Sequence, residues 1–377
     1  MKIAFDAKRL FNNTSGLGNY SRTLVGQLLR THPSDRFSLF TPAVRLDVPY
    51  LPADNAEIVR PAGIWTHLKS VWRTYAPGGI CRRQGIDIYH GLSHELPVGL
   101  KKRGIKSVVT IHDLIFLRHP EFYSPVDVWI HTRKVRYACR TADAVIAISQ
   151  QTRRDIVELL GTPPEKIEVV YQSISPVYGA GPEAGQAEKD LAPLCLPEDF
   201  VLCVGTIERR KNQLALLQAM RQVPAVRLVV VGRRSGRYYR ELVKYIAANG
   251  LSDRVTFLSG VSSRVLAGLY KKCRFVAYPS VYEGFGLPIV EAIGSGKAVL
   301  TSSGGCFAEA GGPGALYAPS DDVEAIAAAM RRLWEDEALR RELATAGREY
   351  IRRFSDAGTS ERVYAVYERV LSAPAKR

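Results

Sequence analysis

Two glutamates stand eight positions apart in "YPSVYEGFGLPIVEAIGSGKAV", residues 278 to 299, around a glycine-rich turn. A carboxylate accepts from two neighbouring hydroxyls at once, so Glu283 and Glu291 suit a polyol such as a ribose or a hexose. Pro288 fits the first position of a helix, which would leave the amides around Phe285, Gly286 and Leu287 aimed outward from a helix N-terminus, where an anion is favoured. This spacing puts Glu283 in the loop and Glu291 in the first helical turn, where it could equally well offset the helix dipole. In "VGTIERRKNQ", Arg209, Arg210 and Lys211 follow an apolar strand. Arg supplies planar paired donors and Lys a compact charge, the combination a diphosphate requires. Cations at a helix start oppose the dipole, so something anionic should compensate them.

A second set lies nearer the N-terminus. "FDAKRLFNNTSGLGNY" places Gly16, Leu17 and Gly18 at the entry of a predicted helix, where backbone amides approach a phosphate closely. Ser21 stands where a dinucleotide fingerprint needs its third glycine, and no acid clearly ends the second strand, so a nicotinamide site is excluded. A plain turn before a helix is the structural alternative. His112 and Asp113 end one apolar strand in "VVTIHDLIF", and His90 and His94 end the strand before it in "IYHGLSHELP". Strand carboxyl ends are where doubly wound sheets bind ligands, although one buried histidine satisfied by a carbonyl is commonplace. No Asp-x-Asp and no Cys-x-x-Cys occurs, so the sequence requires no bound metal, and the six cysteines read as reduced and mostly buried.

These residues need rigid edges to hold them. "KIAFDA", "RFSLFT", "AEIVR", "IDIYH", "KSVVTIH" and "ADAVIAIS" read as strands alternating with helices such as 19 to 30, which predicts right-handed βαβ units and a parallel sheet. Residues 179 to 197 lose periodicity and gain Gly, Pro and Ala, as an interdomain linker would. The alternation then restarts with "FVLCVG", "VRLVVVG", "RVTFLSG", "CRFVAYPS" and "KAVLTSS", with helices predicted over 211 to 222, 236 to 249, 262 to 271 and 288 to 295. The predicted fold is α/β: two doubly wound domains, 1–180 and 198–356, facing a central cleft. A terminal helix over about 357–377, with Val363, Tyr364, Tyr367, Val370 and Leu371 at helical spacing, would pack back onto the first domain. At 377 residues the chain exceeds what one core usually supports, which agrees with two domains.

Composition narrows the partner. Lys plus Arg number 52 against 37 Asp plus Glu, a net charge of +15, with clusters such as "KKRGIK", "RKVRYACR" and "GRRSGR". Such a balance favours nucleic acid, a phosphate-bearing small molecule or an anionic membrane surface, unless it is only a solvated arginine-rich face. No 18-residue apolar run and no signal-peptide core stands in the sequence, so the expected location is the cytosol, including the inner face of the membrane. In "GIWTHLKSVWRTYAPGG", Trp65, Leu68, Val71, Trp72 and Tyr75 fall on one helical face beside Lys69 and Arg73, which suits an anionic bilayer or packing on the sheet.

Taken together, "SGLGNY", "TIHDLIFLRHPEFYS", "ADAVIAISQQTRRDI", "KIEVVYQSISPVY", "VGTIERRKN", "YPSVYEGFGLPIVEA" and "FSDAGTSERVYAVYERVL" resemble a retaining GT-B glycosyltransferase of family 4, of the mannosyl- or rhamnosyltransferase kind used for bacterial surface polysaccharides. The resemblance implies transfer of a sugar from a nucleoside diphosphate donor, GDP-mannose-like or a UDP-sugar, to a hydroxyl of a saccharide acceptor, without metal or cofactor and without nucleic acid; the aromatic segment and the net charge of +15 point to a lipid-linked acceptor. It implies that Arg210 and Lys211 neutralise the diphosphate and that Glu283 contacts the transferred sugar. Glu291 would hold the ribose, amides of Phe285, Gly286 and Leu287 would support sugar and phosphates, and Val261 would line the base pocket. Gly16, Leu17 and Gly18 would close over the diphosphate, and His112 would contact the donor sugar near the reacting carbon. Where similar N-termini read Arg-Pro after Asp-Gly or Asp-Ala, this chain reads "DAKRLFNN", a departure on the acceptor side. A nucleotide-sugar epimerase of similar fold and a basic nucleic-acid-binding protein are the rivals; the first would turn over donor without acceptor, and the second would leave the glutamate loop without a role.

Overall fold

The computed structural model describes residues 1–13, 16–45, 54–180, 186–234, 236–354 and 356–373. The chain divides into two compact units, Met1–Ser173 with Phe354–Arg377, and Ile174–Arg353.

The first unit holds strands β1 (Lys2–Asp6), β2 (Arg36–Phe40), β3 (Ala56–Val59), β4 (Ile88–Gly91), β5 (Lys106–Ile111), β6 (Ala144–Ala147) and β7 (Ile167–Val169). They pair in parallel in the order β3-β2-β1-β4-β5-β6-β7. The second unit holds β8 (Val201–Val204), β9 (Leu228–Val231), β10 (Val255–Leu258), β11 (Phe275–Tyr278), β12 (Val299–Ser302) and β13 (Ala315–Ala318), in the parallel order β10-β9-β8-β11-β12-β13. β6 reads AVIA and β9 reads LVVV, every residue buried, because helices cover both faces of a parallel sheet. Each sheet reverses its strand order once, between β1 and β4 and between β8 and β11, and such switch points are where ligands enter doubly wound sheets.

The edge strands β7 and β13 depart from the sequence expectation. "IEV" is too short to show alternation, and "ALYA" lacks the β-branched residues that mark a strand. The interdomain segment departs as well. Residues 181–185 of the expected linker lie outside the described residues, but Gln186–Leu191 is a helix packed on the helix Ser263–Lys272, with Leu191 buried. The division falls at Ser173 because the next residues pack in the second unit: Tyr178 is buried edge-on against Tyr270 at 5.6 Å, and its carbonyl accepts from the Ser295 hydroxyl at 3.0 Å.

The terminal helix Asp356–Ser372 belongs to the first unit, where Val363, Val366, Tyr367 and Val370 join the core beside the helix Gly16–Thr31. Its Tyr364 stacks on His32 at 3.5 Å and donates to Asp35 at 2.8 Å.

The aromatic segment is rearranged relative to a single amphipathic helix. A short 3-10 turn, Gly63–Thr66, precedes the helix Lys69–Tyr75. Trp72 turns inward and stacks near Phe40, centroids 6.2 Å apart, while the half-buried Arg73 pairs with Asp6 and Glu95. What remains exposed is Ile64, Leu68, Val71 and Tyr75. Among the described residues, no helix is long and apolar enough to cross a membrane. All six cysteines are free, and only Cys195 is exposed.

Candidate active site

The second unit gathers most of the expected residues at its switch point. Beyond β8, Arg209–Lys211 form one 3-10 turn, and the helix starts only at Gln213. The sequence had placed the helix start at Lys211; Asn212 ends the turn instead, with φ of 56° and a side-chain amide that donates to the carbonyls of Ser320 at 2.7 Å and Pro279 at 3.2 Å. The three cations therefore precede the helix, and two of them, Arg210 and Lys211, are held by the loop after β11.

That loop carries Glu283 into them. Lys211 Nζ donates to Glu283 Oε1 and to the Tyr278 hydroxyl, each at 2.6 Å, and lies 4.8 Å from the centroid of the Tyr278 ring. Arg210 Nη1 meets the same Oε1 at 2.6 Å and the Tyr282 carbonyl at 2.8 Å, and its Nη2 meets Glu208 at 2.6 Å. Arg209 turns away to Glu241. Burial would push Glu283 up, but Lys211 and then Arg210 outweigh it and hold the carboxyl at about 2. Glu283 is thus ionised at any ordinary pH, with Oε1 held by both cations.

Phe285 is buried, and Gly286 opens the helix Leu287–Gly294 with Pro288 in its first turn. The backbone at Gly286 has φ of 102°, which a residue with a Cβ rarely adopts, so the helix start can be aimed this way only with glycine here. Glu291 sits one turn further in than the sequence suggested, as the fifth helical residue, so offsetting the helix dipole does not explain it. It accepts from the Tyr270 hydroxyl at 2.9 Å, and burial raises its carboxyl to about 7 despite that bond. Val261 lies half-buried in the loop after β10, just before the helix Ser263–Lys272.

The first unit places His112 at the carboxyl end of β5, buried, with both ring nitrogens bonded. Nε2 donates to the Leu92 carbonyl at 2.9 Å, which leaves Nδ1 to accept from the Gln172 amide at 2.9 Å. Burial, then repulsion from His94, lowers it to about 3, so the imidazole is neutral. Its backbone N–H donates to His94 Nε2 at 2.8 Å. His90 is internal: it bonds the Tyr367 and Thr110 hydroxyls at 2.5 and 2.8 Å, a core histidine satisfied in place. Gly16 and Leu17 start the helix Gly16–Thr31, and Gly18 has a packing reason of its own: a Cβ there would lie 1.8 Å from the Asn13 carbonyl oxygen. Its N–H donates to Asn13 Oδ1 at 3.3 Å.

Tyr278, Asn212, Gln172 and Tyr270 hold these groups but carried no sequence signal as site residues; their partners are 21 to 108 residues away in the chain. Among the described residues, no group of three His, Cys, Asp or Glu is placed to hold a metal ion.

Two Rossmann-like units in one chain, with charged and hydroxyl-accepting side chains at their switch points, define the GT-B class of glycosyltransferases. Residues 14–177 match the model of the Glycosyltransferase Family 4 and residues 192–350 that of the Glycosyl transferases group 1, and the chain belongs to this family. It is similar to O-antigen chain mannosyltransferase B of Escherichia coli, 27% identical over 376 residues that cover 92% of this chain and 93% of that protein. Among solved structures it is similar to sucrose-phosphate synthase of Thermosynechococcus elongatus, with a TM-score of 0.81 at 22% identity over 99% of this chain and 100% of that one. It is also similar to Anabaena HepE in complex with UDP-glucose, with a TM-score of 0.75 at 20% identity, covering 98% of this chain and 100% of that one.

Proposed function

We propose that this glycosyltransferase moves a sugar, with retention of configuration, from a nucleoside diphosphate sugar to a hydroxyl of a lipid-linked saccharide during assembly of a surface polysaccharide. The observation that carries the reading is the Arg210–Lys211–Glu283 cluster beside the Gly286 helix start, with the half-buried Glu291 in that helix. Donor entry gives Arg210 and Lys211 a diphosphate to bind, and fixed cations with helix-terminal amides then stabilise the charge that develops on the leaving group. Glu283 turns from those cations toward sugar hydroxyls, Glu291 takes the ribose, Val261 borders the base, and Phe285, Gly286 and Leu287 supply amides. His112 and the segment Gly16, Leu17 and Gly18 are the first unit's contribution to the same reaction.

The residues favour attack on the face the leaving group departs from. A carboxylate held at about 2 by two cations is a weak nucleophile, and the His112 ring has both nitrogens engaged. The bond from the anomeric carbon to the phosphate oxygen breaks, the bond to the acceptor oxygen forms, and the acceptor proton passes to the departing phosphate oxygen. No metal is needed in this scheme. The relation to an O-antigen mannosyltransferase supports a GDP-mannose-like donor, and the UDP-glucose complex of HepE keeps a UDP-sugar as the second candidate. Exposed Ile64, Leu68, Val71 and Tyr75, with a net charge of +15, support peripheral binding to the inner face of an anionic membrane.

The test is transfer of labelled sugar from GDP-mannose and UDP-sugars to short lipid-linked saccharides, with the product's anomeric configuration read by NMR. Transfer with retention, undiminished by excess chelator, is expected. Donor turnover without acceptor would favour an epimerase, and salt-sensitive DNA binding without turnover would favour a nucleic-acid-binding protein.

A further inference from the structure

At the switch between β1 and β4, a cavity of about 30 Å³ opens among Arg9, His94, Glu95, His131 and Lys134. A cavity of about 10–15 Å³ already admits one water, so this one takes a compact polyatomic group. Its charges do not balance internally. Glu95 spends Oε2 on Arg73 at 2.7 Å and Oε1 on Lys134 at 3.2 Å, and Asp6 takes two further nitrogens of Arg73. Against these two carboxylates stand four cations, Lys8, Arg9, Arg73 and Lys134. Among the described residues, the Arg9 guanidinium makes no hydrogen bond or ion pair, although it is half-buried and lines the cavity. Lys8 beside it is lowered by burial and then by repulsion from Arg73 and Arg9, which together outweigh Glu95 and Asp6.

We infer that Arg9, His131 and Lys134 form a subsite for an oxyanion of the acceptor, a phosphate or a carboxylate, held beside the end of β5. The inference rests on the glycosyl-transfer reading and deepens it. That reading gives the donor diphosphate to Arg210 and Lys211, with Gly16 to Gly18 closing over it, so an anion that binds here while the donor site is filled is a second one and belongs to the acceptor. The cavity wall also leads to the reaction: His94 accepts the His112 N–H, and Leu17, in the helix that Gly18 seats against Asn13, lines the cavity too. The guanidinium fork of Arg9 can bind two oxygens of one group, Lys134 adds a charge from the solvent side, and the His131 ring, 5.5 Å from Phe116, adds a polar edge. Arg9 stands in "DAKRL", the stretch after β1 that departs from Arg-Pro, so the subsite gives that departure a role.

The test titrates the full chain with inorganic phosphate by calorimetry, in excess GDP and UDP to fill the donor site. Arg9→Gln and Lys134→Gln should each weaken phosphate binding roughly tenfold, with Arg9→Lys recovering part of the loss, and none should change the affinity for a nucleotide sugar measured separately. Methyl phosphate and methyl glucuronide in place of inorganic phosphate separate the two sources: preference for the first assigns the lipid phosphate linkage, preference for the second an acidic sugar residue. Undetectable phosphate binding, binding undiminished in both Gln variants, or binding lost instead in Arg210→Gln would overturn the subsite. If Arg9-dependent phosphate binding holds while no nucleotide sugar binds, the anion site stands and the transfer reading fails; the reverse pattern removes only the subsite.

Discussion

Glu283 and Glu291 lie in one short stretch, yet their surroundings drive them apart. Two cations hold Glu283 at about 2, whereas burial with a single tyrosine hydroxyl leaves Glu291 at about 7. Bidentate acceptance from a ribose needs the carboxylate, which forms as pH rises through 7. Donor affinity should therefore strengthen between pH 6 and pH 8. Glu291→Gln should weaken binding roughly tenfold at pH 8 and flatten that dependence, since it removes a charged acceptor. An unchanged pH profile in this variant, read by calorimetry, would remove the ribose assignment. The glutamates and the Arg-Lys pair were legible in the sequence because their types and spacing are themselves the signal. Tyr278 and Asn212 were not, because what makes them site residues is a partner brought close only by the fold: Lys211 to Tyr278, and the Ser320 carbonyl to Asn212.

Elements position these groups through a few tight contacts. The helix Gly16–Thr31 enters over Asn13 so closely that a methyl at position 18 would meet a backbone oxygen at 1.8 Å. Gly18→Ala should cost about 1–3 kcal/mol, as overpacking does, and should displace Leu17. Chemical denaturation with transfer assays checks this: lower stability together with lost activity is expected, and wild-type behaviour in both would show that the loop has more room. Central strands such as β6 and β9 were legible as unbroken apolar runs, and the terminal helix by its stripe from Val363 to Val370. The edge strands β7 and β13 were hidden because only one neighbour pairs with each, which relaxes the demand on sequence. The segment from Trp65 to Tyr75 misled for a different reason. Helical spacing cannot tell a membrane face from a core face, and Trp72 went to the core while Leu68 and Val71 did not.

Across the whole molecule, the two units should answer pH in opposite directions. Burial lowers His90, His94 and His112 of the first unit to about 3, 4 and 3. Between those values and the ordinary 6.5, the unfolded chain binds protons that the folded unit does not, so stability rises with pH up to about 6.5 and is lost below it. In the second unit, the raised Glu291 binds its proton more tightly when folded, so its contribution declines from pH 4.5 to about 7. Hydrogen exchange followed peptide by peptide from pH 5 to pH 7.5, corrected for intrinsic rates, should show protection rising in the β4 and β5 region as pH increases. Parallel behaviour of β4, β5 and the Glu291 helix would contradict the assignment of these shifts.

The central claim is that the second unit's cation–glutamate cluster is a nucleotide-sugar site, and calorimetric titration of GDP-mannose and UDP-glucose into the wild-type chain and Lys211→Ala tests it most directly. The account predicts that one of these donors binds the wild type and that the variant binds it roughly ten- to a hundredfold more weakly, the scale of a lost charge-assisted hydrogen bond. Absence of binding by either donor, or equal affinity in wild type and variant, would contradict it.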